Sequence, residues 1–291
     1  MEIFRRNIRY ILAGLLPSLL IYSTFVIYPI IRSFFYGFYD WNGLSEPVYI
    51  GIKNFQSILT DGIFWLSFKN NLYLMFFSIF AQIPIGLVLA FVLSNKLKGG
   101  NFFRTAFFVP MILSTVVIGL LWSTILNPQI GILDGLLNQI GLGHFSQNWL
   151  GDPKYAMLSV CGVVVWQYFG LYMIIFLAAI QNISTDIMEA ADIDGASKAR
   201  KLISITLPIL WPTVMTAVIL CISGSMRSFD LVFTMTQGGP ASATELMATY
   251  MYNKTFSVYQ YGYGNAISMM IFIISFSIIL MSQALMRKRL D

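Results

Sequence analysis

The chain has 291 residues, of which 57% are hydrophobic and 11% charged, against roughly 25% charged residues in an average soluble domain. That balance excludes an ordinary soluble enzyme, and six bilayer-crossing helices would consume about 120 residues, leaving too little chain for a second soluble domain. The net charge of +5 is scattered between apolar runs and not gathered on one polar face, which argues against nucleic acid as a partner.

Six hydrophobic segments occur in chain order: Ile11 to Ile31, Leu72 to Leu93, Ala106 to Leu126, Ala156 to Ile180, Ile209 to Met226 and Ala266 to Met286. Runs of this length without strand-like alternation predict helices, because backbone polar groups in hydrocarbon must be satisfied within the segment. The expected fold is all-α and membrane-spanning, one domain over residues 1–291. The first segment follows Arg5, Arg6 and Arg9 as a signal peptide would, yet Pro29-Ile30-Ile31-Arg32 offers no small-residue cleavage site, so it reads as a span.

Basic residues divide unequally between the two sides. One side holds Arg5, Arg6, Arg9, Lys96, Lys98, Arg104, Lys198, Arg200, Lys201, Arg287, Lys288 and Arg289; the other holds Arg32, Lys53, Lys69, Lys154, Arg227 and Lys254. By the positive-inside rule both termini are cytoplasmic. Three outer segments, about 32–71, 127–155 and 227–265, are then rich in Trp, Tyr and Gly.

Pro84 in the second span and Pro110 in the third predict kinks, and Gly86 and Gly119 read as helix-packing positions. His144, the only histidine, falls in an outer segment as a solvated side chain. Cys161 and Cys221 each sit in an apolar run, where a thiol behaves as a small hydrophobe, so neither a disulfide nor a metal site is expected. Trp166-Gln167-Tyr168 lies among Val163, Val164, Val165 and Phe169, where Gln167 facing lipid would be costly.

The polar stretch from Gln181 to Thr206 is the principal inner loop. Ser184 to Gly195 reads as a short helix, with Asp186 able to cap its start, Glu189 three residues on and Gly195 suited to a left-handed C-terminal position. A second helical piece starts near Ser197, a further N-cap, and is expected to end before Pro208. Ile187, Ala190, Ala191 and Asp194 fall at i, i+3, i+4 and i+7, a small-residue face able to lie in another protein's groove. After the fifth span, Arg227 and Asp230 are three residues apart and can pair on one helix face. They read either as a hydrogen-bonding site for polyols or as a snorkelling pair at the helix end. Gly238-Gly239-Pro240 is a turn signal.

Glu189-Ala190-Ala191, Asp194-Gly195-Ala196, Ile205 and Leu207-Pro208 resemble the EAA signature of membrane permeases in binding-protein-dependent ABC importers. Gly51-Ile52-Lys53-Asn54-Phe55, Phe108-Val109-Pro110, Gly131-Ile132-Leu133, Trp149-Leu150-Gly151-Asp152-Pro153, Trp166, Thr236-Gln237-Gly238-Gly239-Pro240 and Tyr261-Gly262-Tyr263-Gly264 resemble the sugar-permease branch, especially subunits like the larger maltose permease. Ala199 and Leu202 stand where that signature carries aromatic residues.

The resemblance implies the six-helix type I importer permease fold in the bacterial cytoplasmic membrane. It also implies a second related permease, an ABC ATPase dimer, an extracytoplasmic solute-binding protein, and a sugar or oligosaccharide as solute. Residues 184–207 become the ATPase-coupling loop, with Glu189, Ala190, Ala191, Asp194, Gly195, Ala196, Leu207 and Pro208 carrying it. Sugar hydroxyls need amides and carboxylates while ring C–H faces pack on aromatics. Trp166, Gln167, Ser223, Arg227, Asp230, Asn265 and Ser268 therefore form one possible pocket lining.

No glycine loop ending in Gly-Lys-Ser or Gly-Lys-Thr occurs, so ATP and Mg belong to a separate ATPase and the chain itself binds no cofactor and catalyses no reaction. The alternative, an ion-coupled secondary transporter, predicts acids buried at mid-membrane. No span centre carries one. A membrane-embedded enzyme would need a nucleophile and base or a metal set, which one histidine and two isolated cysteines do not supply.

Overall fold

The computed structural model describes residues 14–94 and 98–287. The expected start of the first span at Ile11, and Arg5, Arg6, Arg9, Lys96, Lys288 and Arg289 among the orienting charges, lie outside them. In chain order the elements are α1 (Gly14–Tyr36), the strands β1 (Tyr39–Asp40) and β2 (Val48–Tyr49), α2 (Lys53–Thr60), α3 (Gly62–Ser94), α4 (Gly100–Ile112) and α5 (Thr115–Ile125). They continue with α6 (Ile132–Gln139), α7 (Pro153–Gln181), α8 (Thr185–Ile193), α9 (Lys198–Ile209), α10 (Trp211–Met226), α11 (Asp230–Thr236), α12 (Met247–Tyr252) and α13 (Tyr261–Arg287). Among the described residues, α1, α3, α7 and α13 are each long and apolar enough to cross a membrane. The bent pairs α4–α5 and α9–α10 raise the number to six.

Pro29, Pro84 and Pro208 lie inside helices that continue past them and share one device. The turns Ser23–Ile27, Ser78–Gln82 and Leu202–Thr206 are π-helical, and each ends two residues before a proline, Pro29, Pro84 or Pro208. In two of them the wider bond is explicit: Tyr28 donates to the Ser23 carbonyl and Leu207 to the Leu202 carbonyl. A proline in a regular helix clashes with the carbonyl four residues back; widening the preceding turn by one residue relieves that clash. Hence α3 passes Pro84 as one helix. The second helical piece of the inner loop runs through Pro208 to Ile209, contrary to the expected stop before it.

The third expected span is not one straight helix. Pro110 stays within α4, and the chain turns at Leu113 and Ser114, whose ψ angles of 150° and 127° are extended. The two halves meet at 96°. α9 and α10 likewise meet at 75° across Leu210, after which Pro212 sits in the first turn of α10, where its missing N–H costs nothing.

The chain forms two compact units. The first comprises residues up to Asp61 together with Met251–Met270. In it β1 and β2 pair antiparallel with Tyr39 opposite Tyr49. Asn54 Nδ2 donates to the Gly37 and Tyr39 carbonyls at 2.9 Å each, pinning α2 beneath the hairpin. Trp41 stacks on Tyr36 at 4.5 Å between ring centres and tilts over Tyr261 at 5.6 Å, while the Tyr263 hydroxyl donates to Asp61 Oδ2 at 2.6 Å.

The second unit comprises Gly62–Tyr250 and the chain from Ile271 onward. Its centre is α7, against which α3 and α4 lie. Gly86 of α3 meets α7 so closely that a Cβ there would stand 2.8 Å from Tyr172 Cβ and 2.9 Å from the Met173 nitrogen. A Cβ at Gly170 would run into the Phe107 carbonyl of α4. Backbones that approach this closely gain dispersion contact, the main attraction available between helices in lipid. Two apolar clusters fill the unit, one around Leu74, Ile118, Val160, Cys161 and Val232, the other around Ile83, Met173, Phe176, Leu210 and Cys221. Both cysteines are free and buried.

Candidate functional site

A cavity of about 440 Å³ opens in the second unit between α3, α7 and α10, with Thr115 at the start of α5 and the link from Arg227 to Leu231 completing its wall. Three of the helices each bring a pair of polar groups to it. On α3, Ser78 and Gln82 are one turn apart; on α7, Tyr168 and Tyr172 repeat the same spacing; on α10, Cys221 and Ser225 do so again. This i, i+4 repetition places each pair on one helix face.

The wall is tied together by hydrogen bonds. Gln82 Nε2 donates to the Val164 carbonyl at 3.1 Å, and the Ser225 hydroxyl donates to Ser78 Oγ at 3.4 Å. The Cys221 thiol lies 3.6 Å from the Ser78 carbonyl and 3.8 Å from Gln82 Oε1. Such a wall presents hydroxyl and amide groups inside an otherwise apolar bundle, suited to a neutral solute with many hydroxyls.

Of the seven residues expected to line a pathway, two do so here: Arg227 and Asp230, both exposed. They do not form an ion pair with each other. α10 ends at Met226 and α11 begins at Asp230, so no common helix face exists, and Arg227 Nε donates instead to the Ser223 carbonyl at 3.3 Å. Ser223 itself lies on the far side of α10 from Cys221 and Ser225.

Trp166 and Gln167 are also turned away. The cavity face of α7 carries Val164, Tyr168, Leu171 and Tyr172; by helical periodicity Trp166 is nearly opposite and Gln167 lies to one side. Trp166 packs edge-on against Trp122 at 5.3 Å. Gln167 is fully buried, donates to Thr115 Oγ1 at 3.3 Å and leaves its Oε1 without a partner. Asn265 and Ser268 belong to the first unit. There Ser33 donates to Asn265 Oδ1, Asn265 Nδ2 donates to the Tyr261 carbonyl at 2.9 Å, and the group borders a small cavity of about 80 Å³.

Ser78, Gln82 and Ser225 escaped the sequence reading. The available signal was the pair of polar residues one turn apart in the apolar second span.

A second candidate site is the helix pair α8–α9. Ser184, not Asp186, caps α8: its hydroxyl accepts the Asp186 N–H at 3.2 Å. Gly195 has φ +70°, a left-handed conformation that glycine adopts without steric cost. The Ala196 N–H bonds the Ala191 carbonyl at 2.9 Å and the Gly195 N–H bonds the Asp192 carbonyl at 3.0 Å, the paired bonds of a Schellman stop. Ser197 then caps α9 by accepting the Arg200 N–H at 3.3 Å, and Lys201 closes the corner with an ion pair to Asp192.

Ala191 is buried and anchors α8, whereas Glu189, Ala190, Asp194 and Gly195 are exposed; so is Ile193, at 86%. Ala196 and Leu207 are half-buried and Pro208 is exposed. The corner therefore offers small, apolar and acidic groups together.

Beyond α11, the Gly238-Gly239-Pro240 turn is built around Gly238, at φ +85°. The Thr244 hydroxyl donates to the Gly239 carbonyl at 2.6 Å, and the Glu245 carboxyl packs against Gly238. Asn70 Nδ2 donates to the Ala243 and Glu245 carbonyls, at 3.1 and 2.9 Å. Glu245 is 5% exposed, and burial pushes its carboxyl above the ordinary range, with a smaller opposing effect from the Thr249 hydroxyl donating to Oε1 at 2.6 Å.

The family described as binding-protein-dependent transport system inner membrane component matches residues 82–290. The chain is 37% identical over 270 residues, 92% of each chain, to the probable ABC transporter permease protein YurN of Bacillus subtilis (strain 168). It is 33% identical over 264 residues, 89% of each chain, to the multiple sugar-binding transport system permease protein MsmF of Streptococcus mutans serotype c. Its fold is similar to a chain of a bacterial ABC transporter involved in the import of the acidic polysaccharide alginate, with TM-score 0.85 and 22% identity over 99% of this chain and 98% of that one. With its apolar helices and this match across most of its length, the chain belongs to the family of binding-protein-dependent transport system inner membrane components, as a multi-pass permease subunit of an ABC importer.

Proposed function

We propose that this chain supplies half of a translocation path for a sugar or oligosaccharide, the cavity between α3, α7 and α10 being its contribution to that path. The observation that carries this reading is the hydroxyl and amide wall of Ser78, Gln82 and Ser225 inside an apolar bundle, since polyols need partners that lipid-facing helices lack. The names of relatives support it. MsmF is a permease of a multiple sugar-binding transport system, and a trehalose/maltose permease of Thermococcus litoralis is 31% identical over 91% of this chain.

The whole chain, 1–291, works as one transmembrane permease domain with both termini cytoplasmic, paired with a second related permease. A separate ABC ATPase dimer uses ATP and Mg and docks on the 184–207 corner through Glu189, Ala190, Ala191, Asp194, Gly195, Ala196, Leu207 and Pro208. An extracytoplasmic binding protein delivers the solute. Closure of the ATPase dimer would move the α8–α9 corner as a lever and rock the helices about the solute.

The test is uptake of a labelled oligosaccharide into vesicles holding the full complex. ATP-dependent uptake that needs the binding protein, and that falls in Gln82→Leu with the ATPase still bound, is the expected result. Uptake driven by an ion gradient without ATP would overturn the reading.

A further inference from the structure

A second cavity, of about 350 Å³, lies between the end of α5 and the beginning of α7. Trp122 of α5 and Leu126 just after it, Leu133 of α6, Trp149, and Tyr155 with Gly162 of α7 are among its walls. Its surface is almost wholly apolar; two of its hydrogen-bonding groups are already used, and the Trp122 indole N–H is a single buried donor without a partner among the described residues. The Ser159 hydroxyl is within 3.0 Å of the Trp149 and Tyr155 carbonyls, and Trp149 Nε1 donates to Asp134 Oδ1 at 2.9 Å. The Trp122 donor could meet one hydroxyl of a saccharide and leave the others without partners, and it gives a buried water one of the two to four bonds it needs.

The position narrows the occupant further. α7 is long and apolar enough to cross a membrane and α5 is the second half of a bent pair; the cavity sits near their ends, where two Trp and one Tyr mark the level of a membrane–water interface. It opens outward beside Leu158, which is 48% exposed, and a Cβ at Gly162 would meet nothing within 4 Å. At the same end Lys154 holds its ammonium 5.2 Å from the centre of the Tyr155 ring. The neighbouring carboxylate, Asp152, is engaged in capping α7, accepting the Lys154 N–H at 2.8 Å.

We infer that this cavity seats one acyl chain of a membrane phospholipid, whose phosphate is met by Lys154. The apolar wall selects hydrocarbon, the exposed Leu158 borders the cavity, and the cation stands where the head group of a chain entering from that level would lie. Gly162 keeps the seat open: a bulky side chain there would occupy it.

The test uses the full chain purified with its companion subunits and placed in phospholipid vesicles. Two photoactivatable probes are compared, a phosphatidylglycerol with a diazirine in its acyl chain and a diacylglycerol carrying the same chain. Labelling of the peptide spanning 155–163 is expected from both. Gly162→Leu should reduce both several-fold, without changing labelling on the outer face of α13 or the unfolding temperature. Lys154→Gln should reduce only the phosphatidylglycerol signal. Unchanged labelling in Gly162→Leu would overturn the seat, as would absence of label because a companion subunit covers it. Equal effects of Lys154→Gln on both probes would overturn the head-group contact.

Discussion

Asn71 and Ser225 are joined by a 2.7 Å hydrogen bond from Asn71 Nδ2 to the Ser225 carbonyl, across 154 residues of chain. The other end of the same amide, Oδ1, accepts the Met247 N–H at 2.9 Å. One fully buried side chain on α3 thus holds both the wall of the larger cavity and the loop that carries the Gly238-Gly239-Pro240 turn. Asn71→Ala leaves the buried Met247 N–H unpaired, at a cost of about 1–3 kcal/mol, and takes the shorter bond from the Ser225 carbonyl, which keeps the Ser228 N–H at 3.4 Å. The expected outcome is a clearly lower unfolding temperature in detergent. Asn71→Asp, which sets a carboxylate oxygen against the Ser225 carbonyl and buries a charge, should lower it at least as far.

Gln82→Leu and Gln167→Leu separate the cavity wall from the helix packing behind it. Gln82 lines the cavity and Gln167 does not. Loss of one hydrogen bond of about 1 kcal/mol to the solute corresponds to roughly five-fold in apparent affinity. Uptake kinetics should therefore show a raised KM for Gln82→Leu and an unchanged KM for Gln167→Leu. The reverse pattern would move the path to the other face of α7.

Gly195→Pro is expected to abolish ATP-driven uptake while leaving membrane insertion intact. Proline holds φ near −65°, whereas the corner requires +70°, so α9 would leave α8 in another direction. Asparagine tolerates the left-handed region, and Gly195→Asn should retain much of the uptake. Vesicle assays of the two variants side by side distinguish corner geometry from mere presence of a side chain.

Gly86→Ala tests the close contact between α3 and α7. Its new Cβ would lie 2.8 Å from Tyr172 Cβ and 2.9 Å from the Met173 nitrogen, so α3 and α7 must separate. Overpacking of this kind costs about 1–3 kcal/mol. Faster proteolysis or a lower unfolding temperature is the expected readout.

Glu245 gives a pH dependence. Its folded pKa is raised by burial, so the folded chain holds this proton to higher pH than the unfolded one. Its contribution to stability is fully present below the unfolded value, about 4.3, and is lost as pH rises through the folded pKa. Glu245→Gln, which keeps an acceptor for the Thr249 hydroxyl, should flatten that decline. Unfolding temperatures of both proteins, followed upward from pH 4, check the sign.

The apolar runs, the caps and the left-handed glycine were readable along the chain because each is a local property. Length and hydropathy locate the spans, and Ser197 and Gly195 act on backbone groups within five residues of themselves. What the linear pattern could not reveal was direction. Lipid tails are as apolar as a packed helix face, so a span such as α7, apolar on every side, carries no stripe to say which side meets the cavity. Gln167 therefore looked like a pathway residue until its neighbours placed it behind the wall. The breaks at Leu113 and Leu210 and the Asn71 junction likewise depend on contacts between segments far apart in sequence. Only the packed tertiary arrangement decides those.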